Sequence, residues 1–249
     1  MGEADRLIRA ASRLSKSLAS IRFGPPVTHV YDPAHHARRG YRRYLRRFAT
    51  GRKRVVFLGM NPGPYGMTQT GVPFGEVGIV RDWLGIEERV ERPANEHPRR
   101  PVEGFACRRS EVSGARLWGA IAKHWGAPEA FFEHHFIANY CPLVFMEASG
   151  RNRTPDKLPG AERAALYAAC DDHLRRLVDV LEPSWVVGIG AFAEARAREA
   201  LDGRALAFGR VLHPSPASPR ANRGWARAAA ADLRRLGVCP GKARASPDR

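Results

Sequence analysis

The chain has 249 residues, of which 27% are charged and 44% apolar, and its 41 basic and 25 acidic residues give a formal charge of +16. This composition excludes an intrinsically disordered chain, and the sequence contains no long apolar span or lipidation motif that would predict a membrane protein. The positive charge favours a polyanionic partner, nucleic acid above an anionic membrane, although arginines spread along the whole chain also fit a solvated surface.

Apolar residues from Leu7 to Ile21 recur at helical spacing near the amino terminus and are interrupted by basic residues. This pattern predicts an amphipathic helix within residues 1–22 and argues against a signal peptide. We therefore expect a cytoplasmic protein in a bacterium, or a nuclear one in a eukaryote.

The pair Asp32 and Pro33 is typical of a helix N-cap followed by a first-turn proline, and it predicts a helix that ends at about Phe48. This segment carries six arginines around apolar and aromatic residues. Basic residues interleaved with aromatics can contact phosphates and bases, but a packed apolar face with solvated arginines is the commoner arrangement and the one we expect.

The remaining elements alternate between strand-like and helix-like patterns. Strands are predicted at 54–58, 136–145, 185–190 and 205–213, and helices at 77–84, 112–125, 161–181 and 222–236. The span 87–111, rich in proline and charge, predicts a long surface loop. The alternation predicts an α/β fold with three αβα layers and a central, mostly parallel four-stranded sheet. We expect one domain over 1–238 and a flexible basic tail at 239–249.

Four cysteines lie far apart in the chain, at Cys107, Cys141, Cys170 and Cys239. Their spacing lacks the paired pattern of zinc or iron–sulfur sites, and a cytosolic chain argues against disulfides. We expect them to be buried or incidental residues, and the protein to use neither a metal nor a cofactor.

The sequence GIGAFA at 188–193 follows a predicted strand and opens a helix, as dinucleotide-binding loops do. Such a site needs an acidic residue at the end of the next strand to hold a ribose hydroxyl, whereas that strand ends here at His213 and Pro214. We therefore expect a tight strand-to-helix turn without a bound dinucleotide.

The loop that follows the strand at 54–58 is the most informative stretch. It contains five glycines and three prolines within 59–77 and no charged residue before Glu76. It is far longer than the usual connection of about 4–6 residues. Glycines permit close approach of the backbone to a ligand, prolines make the loop rigid, and α/β proteins bind ligands at the carboxyl ends of their strands. We interpret the segment as an active-site loop.

This loop, GMNPGP…QTGVPFGEV, and the downstream HPSP at 213–216 resemble motifs of the single-strand-selective monofunctional uracil-DNA glycosylases, one branch of the uracil-DNA glycosylase superfamily. The colinear segments that extend the resemblance are RDWLG (81–85), SEVSGAR (110–116), NYCPL (139–143), SGRN (149–152) and ANRGW (221–225). The resemblance covers about residues 23–237, and several ordered motifs make it more specific than one short motif.

The resemblance implies roles for individual residues in removing a flipped base. Asn61 would position the attacking water, and His213 would donate a hydrogen bond to uracil O2 as negative charge develops there. Phe74 would stack on the base, and Asn139 would pair with the uracil edge, assisted by the backbone N–H of Met60.

The resemblance also bears on the breadth of substrates. Gly63 stands where other uracil-DNA glycosylases of the superfamily carry a tyrosine that blocks the C5 position of the base. Its missing side chain would leave room for a C5 substituent. The resemblance thus implies 5-hydroxymethyluracil and other oxidised or deaminated bases as substrates beside uracil.

The loop after His213 would contact DNA. Its expected DNA-binding residues are Pro214, Ser215, Pro216, Ala217, Ser218 and Arg220. Vertebrate members of the family carry, at the position of Ala217, an arginine that helps to fill the gap left by the flipped base. Because alanine is too short for this, we expect Arg220, with Ser218, to enter the duplex instead. The alternative is that Arg220 contacts only a phosphate and the proline-rich loop acts as the wedge.

These features predict a base-excision repair enzyme that hydrolyses the N-glycosidic bond of uracil-type bases in single- and double-stranded DNA. It would act as a monomer and leave an abasic site; neither motif contains the lysine that a strand-cleaving Schiff base requires. One alternative is a non-catalytic single-stranded DNA-binding module that uses the same pocket. Another is a nucleotide-dependent oxidoreductase, which the missing acidic residue disfavours.

Overall fold

The structure, a computed structural model, describes residues 2–238. The helices are α1 (Glu3–Ala19), α2 (Pro33–His36), α3 (Arg38–Phe48), α4 (Met67–Thr70), α5 (Val77–Asp82), α6 (Val112–Trp125), α7 (Pro128–Phe132), α8 (Gly160–Leu181), α9 (Ala191–Ala200), α10 (Pro219–Asn222) and α11 (Trp225–Arg235). The strands are β1 (Val27–Tyr31), β2 (Val55–Gly59), β3 (His135–Asn139), β4 (Val144–Glu147), β5 (Asn152–Arg153), β6 (Trp185–Ile189) and β7 (Ala207–Val211).

The central sheet contains four parallel strands in the order β3-β2-β6-β7. Strands β2 and β3 are apolar and buried almost throughout, as expected when helices cover both faces of a sheet. Gly59 at the end of β2 pairs with Asn139 at the end of β3, and Ile189 of β6 pairs with Val211 of β7. All four strands therefore end at one edge, which confirms the predicted α/β fold with a parallel four-stranded sheet.

A second, antiparallel sheet in the order β1-β4-β5 was not predicted. The single strand expected at 136–145 is two strands, β3 and β4, which belong to different sheets. Just past β3, the backbone N–H groups of Tyr140 and Cys141 still bond to the carbonyls of Gly59 and Met60, and the chain then turns into β4 of the second sheet.

The helix expected from Pro33 to Phe48 is broken at Ala37, whose φ of −105° and ψ of 28° are not helical. Asp32 makes no capping hydrogen bond through its side chain. The break brings the backbone of Ala37 against Gly71, where a side chain would collide with the Ala37 carbonyl oxygen. The aromatic residues of α3 are packed as expected, and Phe48 is 1% exposed.

The loop at 87–111 contains one turn of 3-10 helix, Gly104–Ala106, but it does not lie wholly on the surface. Its His97 and Val102 are buried, and Gln69 Oε1 accepts hydrogen bonds from the backbone of this loop near Gly104. The loop therefore packs against the active-site loop.

The turn at 188–193 has a packing role. A side chain at Gly188 would collide with the backbone of Glu194 in α9. Gly190 has a φ of +97°, and a methyl group there would lie 3.3 Å from Cβ of His213. The two glycines let α9 and His213 approach the end of β6.

The carboxyl-terminal helix expected at 222–236 corresponds to α11, and the short helix α10 before it was not predicted; Gly224, whose φ is +120°, lies between the two. Cys107, Cys141 and Cys170 are free and buried, as expected. Cys239 and the tail expected at 239–249 lie outside the described residues. Among the helices of residues 2–238, none combines the length and the apolar character needed to span a bilayer.

Candidate active site

A cavity of about 330 Å³ opens at the carboxyl edge of the parallel sheet. The residues expected in the site that line it are Met60, Asn61, Gly63, Phe74, Asn139, His213 and Ser215. These side chains come from loops and strand ends that are distant in sequence. The topology brings them together because β2, β3 and β7 all end at this edge.

A larger cavity, of about 750 Å³, lies between α1, β1 and α3. It contains none of the residues expected in the site. Its lining includes Leu143, whose carbonyl accepts a hydrogen bond from Asn61, so the two cavities are neighbours. We place the chemistry in the smaller cavity because the convergent polar groups lie there.

Asn61 is held in one orientation. Its Nδ2 donates to the carbonyl oxygen of Leu143 at 3.0 Å and lies 3.4 Å from that of Pro62. A carbonyl oxygen can only accept, so the amide NH2 must face it. The Oδ1 atom of Asn61 is thereby left as the acceptor available for a water molecule.

His213 follows β7 and has a defined tautomer. Its Nδ1 accepts the backbone N–H of Ser215 at 3.1 Å, so the proton of the neutral ring resides on Nε2. Burial lowers the pKa of His213 below its ordinary value, which keeps the ring neutral at pH 7. The Nε2–H group is therefore a neutral hydrogen-bond donor.

Phe74 lies across the cavity from that imidazole, with its ring centroid 6.2 Å from that of His213. Its φ of 55° is in the left-handed region, which is strained for a residue with a side chain and is typical of functional sites. Two contacts stabilise this backbone: Glu76 N–H donates to the Phe74 carbonyl at 2.8 Å, and Trp118 Nε1–H donates to the Pro73 carbonyl at 3.1 Å.

Gly59 leaves room for the side chains of both Phe74 and Asn139. A methyl group on Gly59 would lie 2.5 Å from Cε2 of Phe74 and 2.6 Å from Oδ1 of Asn139. Among the contacts of residues 2–238, the Asn139 amide makes one hydrogen bond, a weak one from Nδ2 to Sδ of Met67 at 3.5 Å. Its donor and acceptor are thus available to a ligand.

Gly63 borders open space. A methyl group added there meets no atom within 4 Å, and its φ is not in the left-handed region. A larger side chain can therefore be accommodated without backbone strain, which makes the position suitable for a substitution test.

The loop after His213 is fixed by Arg116 of α6. The Arg116 guanidinium donates to the carbonyl of Pro214 at 3.1 Å and to Oδ1 of Asn222 at 2.9 Å. Asn222 in turn donates to the Pro216 carbonyl at 2.9 Å. Arg116 thus connects the SEVSGAR segment to the HPSP loop, a contact that the sequence pattern did not indicate.

The other residues expected to bind DNA do not line this cavity. Pro216 and Ala217 are exposed. The Oγ of Ser218 accepts the backbone N–H of Ala221 at 3.3 Å and so caps α10. Arg220 Nη2 lies 3.6 Å from Oδ1 of Asp232 in α11. Both residues line another cavity, between α9, β7 and α11. This placement favours a phosphate contact over duplex entry for Arg220.

Residues without an assigned role complete the cavity wall: Pro62, Gly66, Met67, Glu111, Ser113, Asn152 and Thr154. The Glu111 carboxylate accepts backbone N–H groups of Ser113 and Gly114 and caps α6. Burial raises its pKa, and these N–H groups oppose the shift. Glu111 and Asn152 fall within the SEVSGAR and SGRN segments, to which the resemblance assigned no role.

Comparisons with known proteins identify the family of the chain. Residues 46–234 match the family model of the uracil DNA glycosylase superfamily. The single-strand selective monofunctional uracil-DNA glycosylase of Rattus norvegicus is 49% identical over 239 residues, which cover 95% of this chain and 86% of that protein. The corresponding protein of Bos taurus is 48% identical, and the match covers 95% of this chain and 88% of that protein.

A solved structure shows the shared fold at lower sequence identity. The crystal structure of wild-type SMUG2 from Pedobacter heparinus matches with a TM-score of 0.70 and 17% identity, and the match covers 96% of this chain and 98% of that chain. The family model and the close relatives show that the chain belongs to the uracil-DNA glycosylase superfamily, in its single-strand selective monofunctional branch.

Proposed function

We propose that the chain is a base-excision repair enzyme that hydrolyses the N-glycosidic bond of a flipped-out uracil in DNA and leaves an abasic site. The observation that carries the proposal is the convergence of an oriented amide, a neutral imidazole donor and an aromatic ring on one cavity, at Asn61, His213 and Phe74. The family assignment agrees with this chemistry.

Base capture is the first step. A duplex hides the glycosidic bond, so the nucleotide must leave the stack and enter the cavity. The Phe74 ring supplies a stacking surface, and the Asn139 amide offers a donor to uracil O4 and an acceptor to N3–H. Gly59 supports this step because it leaves room for both groups.

Bond cleavage places negative charge on the departing base and positive charge on the sugar, as in other glycosidic cleavages. His213 Nε2–H donates to uracil O2, where charge accumulates, and the backbone N–H of Met60 assists. A neutral donor suits this task because it stabilises the charge without transferring its proton.

Water attack follows on the cation-like sugar. Asn61 Oδ1 accepts a hydrogen bond from this water and orients it, since the amide cannot act as an ordinary general base. Among the described residues that line the cavity there is no lysine, in keeping with hydrolysis rather than a Schiff base. The products are the free base and an abasic site.

The proposed substrates include uracil and 5-hydroxymethyluracil, in single- and double-stranded DNA. The open space at Gly63 supports room for a C5 substituent. The net charge of +16 supports binding to the phosphate backbone. The affinity for undamaged duplex DNA should therefore fall steeply with salt: each tenfold rise in salt concentration should lower the logarithm of the binding constant by about 0.9 for every phosphate that the protein neutralises.

The test is turnover of a uracil-containing oligonucleotide in EDTA, followed by alkaline cleavage at the abasic site. Release of uracil with an intact strand before alkali is the expected result. Binding without release would support the non-catalytic DNA-binding module instead, and failure of both binding and release would contradict the proposal.

A further inference from the structure

A further cavity, of about 590 Å³, lies between α9, β7 and α11, and we call it the second cavity. It lies beside the cavity of about 330 Å³ that contains Asn61 and Phe74, which we call the base cavity. The two cavities share His213 as a wall, and this residue therefore borders both of them.

Positive charge dominates this second cavity. Its cationic side chains are Arg198, Arg210, Arg220 and Arg235, and its imidazole, His213, is neutral. Its carboxylates are those of Glu194 and Asp232, so four positive charges face two negative ones. Each carboxylate is shared: Glu194 lies 3.1 Å from Arg198 and 3.6 Å from Arg210. The cavity thus keeps an excess of two positive charges.

The carboxylates lie at the base of the cavity and the guanidinium groups toward its opening. The Asp232 side chain is 8% exposed, whereas those of Arg220 and Arg235, which it binds, are 58% and 71% exposed. A buried carboxylate that binds two exposed arginines restricts their motion. Arginines held in this way lose less conformational entropy when they bind an anion.

Asp232 also connects this cavity to the segment that carries His213. Its Oδ2 accepts the backbone N–H of Leu212 at 3.0 Å, and the indole of Trp225 donates to the Leu212 carbonyl at 2.6 Å. Both peptide groups of the residue before His213 are therefore fixed by α11.

We infer that the second cavity binds a backbone phosphate of the substrate DNA close to the flipped nucleotide. Guanidinium groups bind phosphate oxygens in a forked geometry, and the net charge suits an anion. A DNA phosphate is favoured over a free anion because a base held against His213 brings its own strand beside this wall. The inference rests on the proposed function, since it takes the base cavity as the site of the flipped nucleotide.

The experiment uses the double variant Arg210→Gln and Arg235→Gln, which leaves two arginines opposite two carboxylates. The matched control is Arg176→Gln with Arg204→Gln: these exposed arginines pair with carboxylates of α8 and line neither cavity. Both variants lose the same charge. Binding of a single-stranded oligonucleotide with a non-cleavable uracil analogue is measured against salt, and thermal melting verifies folding.

The double variant should bind several-fold more weakly at low salt than the control. Its log–log salt slope should be smaller by about 0.7 for each phosphate of a single strand that the variant no longer neutralises. A series of oligonucleotides, each with one uncharged methylphosphonate, provides a readout that leaves the protein unchanged. One position near the uracil should weaken binding of the wild type but not of the double variant.

Two results would overturn the inference. One is a double variant that matches the control in affinity, slope and methylphosphonate profile. The other is binding of inorganic phosphate that the double variant loses while DNA binding is unchanged, which would indicate a free-anion site. Base release by the wild type is measured separately, so failure of the phosphate site and failure of the proposed glycosylase are distinguishable.

Discussion

Nδ1 of His213 accepts the backbone N–H of Ser215 at 3.1 Å, so the loop that carries the histidine also selects its tautomer. Burial of the ring lowers the pKa of His213. The neutral ring is therefore retained as pH falls through the ordinary histidine pKa of about 6.5. At lower pH, protonation of Nδ1 removes the acceptor for the Ser215 N–H group and breaks this hydrogen bond.

We expect nitrogen NMR of His213 to show the neutral Nε2–H tautomer at pH 7 and a titration midpoint below about 6.5. The folded-state pKa is lowered, so the stabilisation from this group is present at higher pH and is lost as pH falls through the midpoint. A proton on Nδ1 at pH 7, or a midpoint above the ordinary value, would contradict the assignment.

Substitution of Gly59 tests whether Phe74 and Asn139, the proposed base-binding residues, depend on the space that this glycine leaves. Gly59→Ala places a methyl group 2.5 Å from the Phe74 ring and 2.6 Å from the Asn139 amide. Displacement of these groups by about 1 Å should lower single-turnover excision by about 10²-fold. The control is Gly119→Ala in α6, where a methyl group meets no atom within 4 Å. It should retain activity and stabilise the helix by about 0.5–1 kcal/mol. Similar activity in both variants would show that Gly59 does not shape the site.

Gly63→Tyr tests substrate breadth. If open space at Gly63 admits C5 groups, the variant should lose far more activity on 5-hydroxymethyluracil than on uracil. Because Gly63 has no left-handed φ, a general loss through backbone strain is not expected. Excision rates on two otherwise identical oligonucleotides provide the measurement, and equal losses would show that this residue does not control the C5 position.

Arg220→Ala distinguishes a phosphate contact from duplex entry. Because Arg220 lies 3.6 Å from Asp232 and outside the base cavity, we expect similar losses on single and double strands that shrink as salt rises. A loss several-fold larger on duplex, rescued by Ala217→Arg, would instead support entry of Arg220 into the duplex.

Several features could be predicted from sequence because each depends on a local pattern. The apolar run of β2 and the glycine- and proline-rich loop after it predicted that Asn61 lies at the carboxyl end of the sheet. The strand pattern before His213 predicted that this residue lies at the same edge of the sheet. The two-residue strand β5 was missed because so short a segment has no periodicity. The break at Ala37 was missed because it depends on packing against Gly71, far away in the chain.

The contacts that fix the loop around His213 could not be predicted either, because they also join residues that are distant in the chain. Arg116 reaches the Pro214 carbonyl across 98 residues, and Asp232 fixes Leu212 from a helix 20 residues further on. Neither residue type nor spacing indicates such partners in a single sequence. The resemblance located the segments, and the fold supplied the contacts between them.

The most direct test of the account is single-turnover excision of uracil by Asn61→Ala and His213→Ala, with DNA affinity measured in parallel. We predict that each variant loses about 10²–10³-fold in rate, the usual effect of removing one preorganised polar group, while its affinity for DNA changes little. Wild-type rates in both variants would contradict the assignment of the cavity as the catalytic site.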